Sequence, residues 1–161
     1  MKLSGKIVIV TGASRGIGAT SAKEFAKEGA TVVLVAQDEK SLSQVANEIG
    51  SQVRVHALNI AKFEQVEKMI SDTLNEFQKI DIVINNAGKI SPIKRVMDIQ
   101  IDDWDHVIDV NLKGVFYGFK LALPSMLKNG GGTFVTLSSG AAQNPLEAWS
   151  HYCASKAAVN M

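Results

Sequence analysis

The sequence has one cysteine, Cys153, among its 161 residues. No intramolecular disulfide can form, which excludes a disulfide-framed secreted scaffold and makes the cytoplasm the expected location. Long apolar runs are missing as well. The run Ile7-Val8-Ile9-Val10 stops at Thr11-Gly12, short of the ~7–15 residues of a secretory core and far short of the ~20 of a membrane span. Neither sign of charge dominates. With 17 Lys+Arg, 16 Asp+Glu and a net charge of +1, there is no electrostatic reason to expect nucleic acid or an anionic membrane as partner, and a small molecule is expected instead. His, Cys and carboxylates show no metal-ligand spacing, so no metal is expected.

What is present is apolar residue in a rhythm. Apolar residues make up 46% of the chain, enough for one compact domain over residues 1–161 with a substantial core. Short β-branched runs at 7–10, 31–35, 53–58, 80–84 and 133–137 alternate with amphipathic segments, and each run is followed by Gly, Asn or Ser. That alternation predicts βαβ units with five parallel strands covered on both faces. Helices are expected at 17–27, 40–49 and 63–77, and a long one at 102–127 opens on Asp102 and Asp103. Pro124 should bend or shorten the last turns of that helix. Right-handed crossovers then give a doubly wound, Rossmann-type α/β sheet in three layers, α/β/α.

In such a sheet ligands bind beyond the carboxyl ends of the strands. The clusters to inspect are therefore 11–18, 36–38, 59–60, 85–88 and 138–140. The first reads Thr11-Gly12-Ala13-Ser14-Arg15-Gly16-Ile17-Gly18. Glycines allow a tight turn and close backbone approach, and a helix N-terminus offers N–H groups to a pyrophosphate. The spacing is not G-x-G-x-x-G, and an ordinary glycine-rich turn is the competing reading. Near the C-terminus stands His151-Tyr152-Cys153-Ala154-Ser155-Lys156. Four residues apart on a helix, Tyr152 and Lys156 share a face. A phenol exchanges protons poorly at neutral pH, and a nearby ammonium stabilises its phenolate. Alone, a Tyr-x-x-x-Lys pair is a frequent accident.

Together the motifs change that estimate. T-G-x-x-x-G-x-G at 11–18, Asn85-Asn86-Ala87-Gly88, Asn111 in "DVNLKG", Ser139 in "TLSSG" and Tyr152-x-x-x-Lys156 follow one another in order. The chain resembles the short-chain dehydrogenase/reductase family over its whole length, and most resembles its NADP-dependent carbonyl and ketoacyl reductases. The resemblance implies hydride transfer between NADP(H) and a carbonyl or secondary alcohol. Tyr152 would donate or accept the proton, Ser139 hold the substrate oxygen, and Lys156 tune Tyr152 and bind the nicotinamide ribose. Asn111 would hold a water linking Lys156 to solvent. Ser139, thirteen residues before Tyr152, is preferred to Ser138 on spacing.

For the cofactor the resemblance implies Gly12, Ser14, Arg15, Gly16, Ile17, Gly18, Gln37, Asn59, Ile60, Asn86, Ala87 and Gly88, besides Tyr152 and Lys156. Ala36 and Gln37 end the second run where NAD enzymes place a carboxylate, and Arg15 can meet a 2′-phosphate, so NADP(H) is expected, with NAD(H) as the alternative. Asn59 replaces the Asp of many relatives, and its carbonyl can still accept from adenine. Asn85 is expected to tie strands together. His151 is expected half-exposed at a helix start, Cys153 as a packing thiol, and Trp149 at a loop or beside the substrate.

The resemblance also implies more chain after the Tyr-bearing helix, including a substrate lid and further strands. The 161 residues are expected to be an incomplete domain truncated after the start of that helix, with an uncovered edge and exposed apolar surface. A homodimer or homotetramer is expected. The competing class is a catalytically inactive, truncated nucleotide-binding or dimerising module.

Overall fold

A computed structural model describes all 161 residues. Where β-branched residues run unbroken, strands form: β1 (Ile7–Thr11), β2 (Thr31–Ala36), β3 (Val53–Ala57), β4 (Ile82–Asn85) and β5 (Thr133–Thr136). Where apolar residues recur at three to four, helices form: α1 (Gly16–Lys27), α2 (Glu39–Ile49), α3 (Phe63–Phe77), α4 (Ile101–Ile108), α5 (Gly114–Lys128) and α6 (Ser150–Asn160). All strands are parallel in the order β3-β2-β1-β4-β5. Val8 of β1 lies between Val32 of β2 and Ile82 of β4. The winding reverses at β1 and β4, which opens a crevice at their carboxyl ends.

Alternation along β1 builds the three layers. Ile7 and Ile9 face α3 and α5, packing in a cluster with Val66, Met69, Ile70, Ala122 and Met126. Val8 and Val10 face the other way, toward Ala19 and Ala22 of α1 and Leu42 and Val45 of α2. Each such Leu, Val or Ile contributes about 1.5–3 kcal/mol by burial. Leu34→Ala, at a fully buried position, is expected to cost about 2–5 kcal/mol.

Four expectations are corrected in whole or in part. β1, β2 and β4 are covered on both faces, but β3, expected to be covered likewise, is half-exposed at the sheet edge; β5 at the other edge leaves Val135 exposed, in line with the expected uncovered edge and apolar surface. Of the expected bending or shortening by Pro124, the shortening does not occur, and the helix runs on to Lys128; only one amide donor is lost. The expected single helix at 102–127 carries an inserted π-helical turn, Asp109–Lys113, between α4 and α5. Strand β4 also begins at Ile82 rather than at residue 80. There Asp81 turns its carboxylate to Ile7 N (2.9 Å) and Lys6 Nζ (2.8 Å).

Candidate active site

The glycine loop joins β1 to α1 at the crevice. Gly12 and Gly16 have φ of +66° and +56°, which L side chains adopt only under strain. Gly18 is held by contact instead: a Cβ there would stand 2.2 Å from Gly12 O. Asn86, just past β4, fixes the loop by donating Nδ2 to Thr11 O (2.8 Å) and Gly12 O (3.1 Å). Thr11 Oγ1 donates to Ile84 O (3.2 Å) and accepts from Asn86 N and Ala87 N, both at 3.1 Å. Helix α1 has no side-chain cap and no acidic residue in its first turn, so its N-terminal N–H groups and positive dipole end are open to an anion without a competing carboxylate.

An open cleft of about 680 Å³ lies beyond these strand ends. Of the sequence-predicted residues, Gly12, Ser14, Arg15, Gln37, Ile60, Asn86, Ala87 and Gly88 line it. Gly16, Ile17, Gly18, Asn59, Asn111, Ser139, Tyr152 and Lys156 do not; Asn59 turns its Oδ1 to Ala61 N (2.9 Å) ahead of α3. Asp38 is the only carboxylate in the lining, and it caps α2, accepting from Ser41 N (3.1 Å) and Ser41 Oγ (2.6 Å). The Ser41 hydroxyl, then the backbone N–H, hold this carboxyl below its usual range.

Beyond Gly88 stand the four residues assigned to chemistry. Asn111 is buried in the π-helical turn and grips Lys89 by its backbone, accepting from Lys89 N (2.7 Å) and donating to Lys89 O (2.8 Å). Its second amide proton goes to Ser155 Oγ (2.9 Å), which donates onward to Tyr152 O (2.8 Å). One amide thus links the strand-β4 loop to α6. Lys156 is only 5% exposed and donates Nζ to Leu137 O at 2.6 Å. The same Nζ lies 5.8 Å from the centroid of the Tyr152 ring and 3.7 Å from where a Cβ on Gly88 would stand. Burial pushes the Lys156 ammonium below its usual pKa. Ser139, after β5, accepts from Ala141 N (3.2 Å) and is half-buried where Ser138 is exposed. The turn that follows it, Gly140–Ala142, packs on α6.

The neighbours of Tyr152 complete the picture. Trp149 meets its ring edge-on, with centroids 5.8 Å apart. Cys153 is half-buried. His151 is not half-exposed as expected but fully buried. Helix α6 turns it under α4, where it stacks on Trp104 with centroids 6.1 Å apart, and neither ring nitrogen has a hydrogen-bond partner. Asn85 ties strands as expected, donating to Thr136 Oγ1 of β5 (3.3 Å).

Sequence reading missed several residues. Thr11 and Ser155 are hydrogen-bonding braces, and their one signal was position, beside Gly12 and between Tyr152 and Lys156. Lys89, His106 and Val110 line the cleft. His106 and Val110 could have been found from their helical spacing, since they sit four apart on a helix entering the site; Lys89 carried no signal beyond following Gly88.

The comparisons agree with this geometry. A family model described as short chain dehydrogenase matches residues 6–161. Among curated proteins, an uncharacterized oxidoreductase of Staphylococcus epidermidis is 33% identical over 159 residues, 99% of this chain and 69% of that protein. One from Staphylococcus aureus is 39% identical over 98% of this chain and 68% of its own length. Among solved structures, a metagenomic short-chain oxidoreductase in complex with NADP superposes with a TM-score of 0.96 at 33% identity, over 99% of this chain and 74% of that one. A 3-ketoacyl-(acyl-carrier-protein) reductase from Brucella melitensis complexed with NADH gives 0.93 at 32% identity, over 98% of this chain and 66% of that one. The chain therefore spans about two thirds to three quarters of the length of these relatives.

Proposed function

Since this chain belongs to the short-chain dehydrogenase family, we propose that it is a reductase that exchanges hydride between NADP(H) and a small carbonyl or secondary alcohol, with Tyr152 as proton donor and acceptor. The observation that carries the reading is Lys156. A lysine buried to 5% exposure without a carboxylate costs stability. Its ammonium stands beside both the Tyr152 ring and the Gly88 backbone at the cleft wall. A charge held there at a cost has a use: stabilising a phenolate and meeting the hydroxyls of a ribose.

The cleft fits a dinucleotide. Gly16 is a position where a Cβ would meet nothing within 4 Å, so the loop leaves open space over the uncapped start of α1. Gly12, Ser14, Gly16, Ile17 and Gly18 would hold the diphosphate, Gln37 and Arg15 the 2′-phosphate end, Ile60 the adenine, and Asn86, Ala87 and Gly88 the adenosine ribose. NADP(H) is favoured over NAD(H) by Asp38, the one carboxylate nearby, which is turned onto Ser41 rather than left free for ribose hydroxyls. When bound, the nicotinamide supplies or takes up the hydride.

This chain's own residues do the rest. Tyr152 Oη gives a proton to the carbonyl oxygen in reduction and takes one from an alcohol in oxidation. The Ser139 hydroxyl, oriented by Ala141 N, donates to the same oxygen and stabilises negative charge developing on it. Lys156 sets its ammonium beside the Tyr152 ring. Asn111 has both amide protons engaged and one Oδ1 lone pair left for the water through which Lys156 reaches solvent. A homodimer or homotetramer in the cytoplasm belongs to the same reading. Phe116, Leu123 and Leu127 lie exposed on one face of α5, and no helix is long and apolar enough to cross a membrane.

NADPH oxidation followed at its absorbance, with simple ketones and diketones as substrates, tests the proposal. Carbonyl-dependent oxidation is expected. NADPH binding with no turnover on any carbonyl would favour the inactive nucleotide-binding module instead.

A further inference from the structure

Lys89 follows Gly88 on the cleft wall, and its backbone is clamped on both sides, Lys89 N to Asn111 Oδ1 at 2.7 Å and Lys89 O to Asn111 Nδ2 at 2.8 Å. That fixes where its side chain starts. The side chain is half-buried and borders the cleft, whereas lysines are mostly left in water. None of the chain's ion pairs includes it. Of the carboxylates, only Asp38 reaches the cleft lining, and Asp38 is turned onto Ser41. The cleft lining thus includes a lysine with no counter-charge.

Its reach points to one part of a ligand. A Cβ on Gly12 would stand 2.9 Å from Ala87 Cα, so the glycine loop and the strand-β4 loop touch there. Lys89 lies two residues further on, at most about 7 Å along an extended chain, and its four-carbon stem is long enough to span that gap. An anion seated at the N-terminus of α1 would then lie within the reach of a lysine at this position. Arg15 is the N-cap residue of α1 and lines the same cleft as Gln37 and Asp38.

We propose that Lys89 is a phosphate-binding residue that pairs with the diphosphate of a dinucleotide across the cleft from the glycine loop, dividing the charge recognition with Arg15. This inference rests on the dinucleotide reading of the cleft. A flexible point charge suits it, because the diphosphate is held in shape by backbone N–H groups and needs only a counter-ion opposite.

Titration calorimetry with NADPH, ADP-ribose and 2′-AMP tests it on the full chain. Lys89→Met is expected to weaken NADPH and ADP-ribose about tenfold, about 1.4 kcal/mol, to leave 2′-AMP unchanged, and to flatten the salt dependence of NADPH binding. Lys89→Arg should restore most of the affinity. The Asn111 clamp uses only backbone atoms of residue 89, so it survives both changes. Lys89→Met binding all three ligands as the wild type does, or weakening all three alike, overturns the proposal. A wild-type chain that binds no NADPH overturns the dinucleotide reading along with it.

Discussion

Asn111 Nδ2 and Ser155 Oγ are joined at 2.9 Å inside the protein, and this bond ties a π-helical turn to the helix that carries Tyr152 and Lys156. Ser155 is fully buried and also donates to Tyr152 O at 2.8 Å. Ser155→Ala leaves one Asn111 proton unpaired in the interior, so unfolding stability is expected to fall by about 1–3 kcal/mol. Urea titration measures it. An unchanged midpoint would mean that Asn111 finds another acceptor and that the bond is not a brace.

Two glycines of one loop should respond differently to the same change. At Gly18 a Cβ would stand 2.2 Å from Gly12 O and 2.5 Å from Asn86 Nδ2, and the loop backbone must move to admit it. Gly18→Ala is expected to cost more than the about 1–3 kcal/mol of ordinary overpacking and to abolish NADPH binding. Gly16→Ala meets no atom within 4 Å but must keep φ at +56°, a cost of about 1–2 kcal/mol. Thermal melts of the two variants give the order, and the reverse order would refute the loop geometry.

Much of this was legible in the sequence because it depends on local pattern. Unbroken β-branched runs such as Ile7–Thr11 and helical spacing such as Val66, Ile70 and Leu74 fix strand and helix with little help from the rest of the chain. The family was legible because the glycine motif and the Tyr-x-x-x-Lys pair stand in a fixed order and spacing along the chain. Elements that depend on distant partners were not. The π-helical turn forms around Asn111, whose amide reaches Lys89 and Ser155, residues 22 and 44 positions away. His151 is buried because α6 leans on Trp104 of α4, and nothing local to "SHYCAS" encodes that contact. Asn59 and Asp38 carry the residue types of ligand-binding positions, yet each makes a local turn or cap bond that only coordinates reveal.

Cofactor preference should move with one charge. Ala36 ends β2 and lines the cleft beside Gln37. Ala36→Asp adds a carboxylate that repels a 2′-phosphate and accepts from ribose hydroxyls. The NADP/NAD ratio of kcat/KM is expected to fall at least about tenfold, about 1.4 kcal/mol. A ratio equal to the wild type would refute the placing of the 2′-phosphate.

The buried ammonium predicts a pH dependence of stability. Lys156 titrates below the usual lysine value of 10.5 because it is desolvated, so between its lowered value and 10.5 the unfolded chain binds a proton that the folded chain does not. Stability in that window rises with pH. Lys156→Met lacks this contribution. The stability of wild type minus that of Lys156→Met, from urea titrations between about pH 8 and about pH 10, is therefore expected to increase with pH. A flat or falling difference would show that Lys156 is not desolvated.

The central claim is that Tyr152 moves the proton while the glycine loop holds the cofactor. Tyr152→Phe removes the hydroxyl and keeps the ring that packs on Trp149. Carbonyl-dependent NADPH oxidation by this variant should fall by about 10²–10⁴-fold or more, with the Kd for NADPH unchanged. Wild-type turnover by Tyr152→Phe would contradict the account.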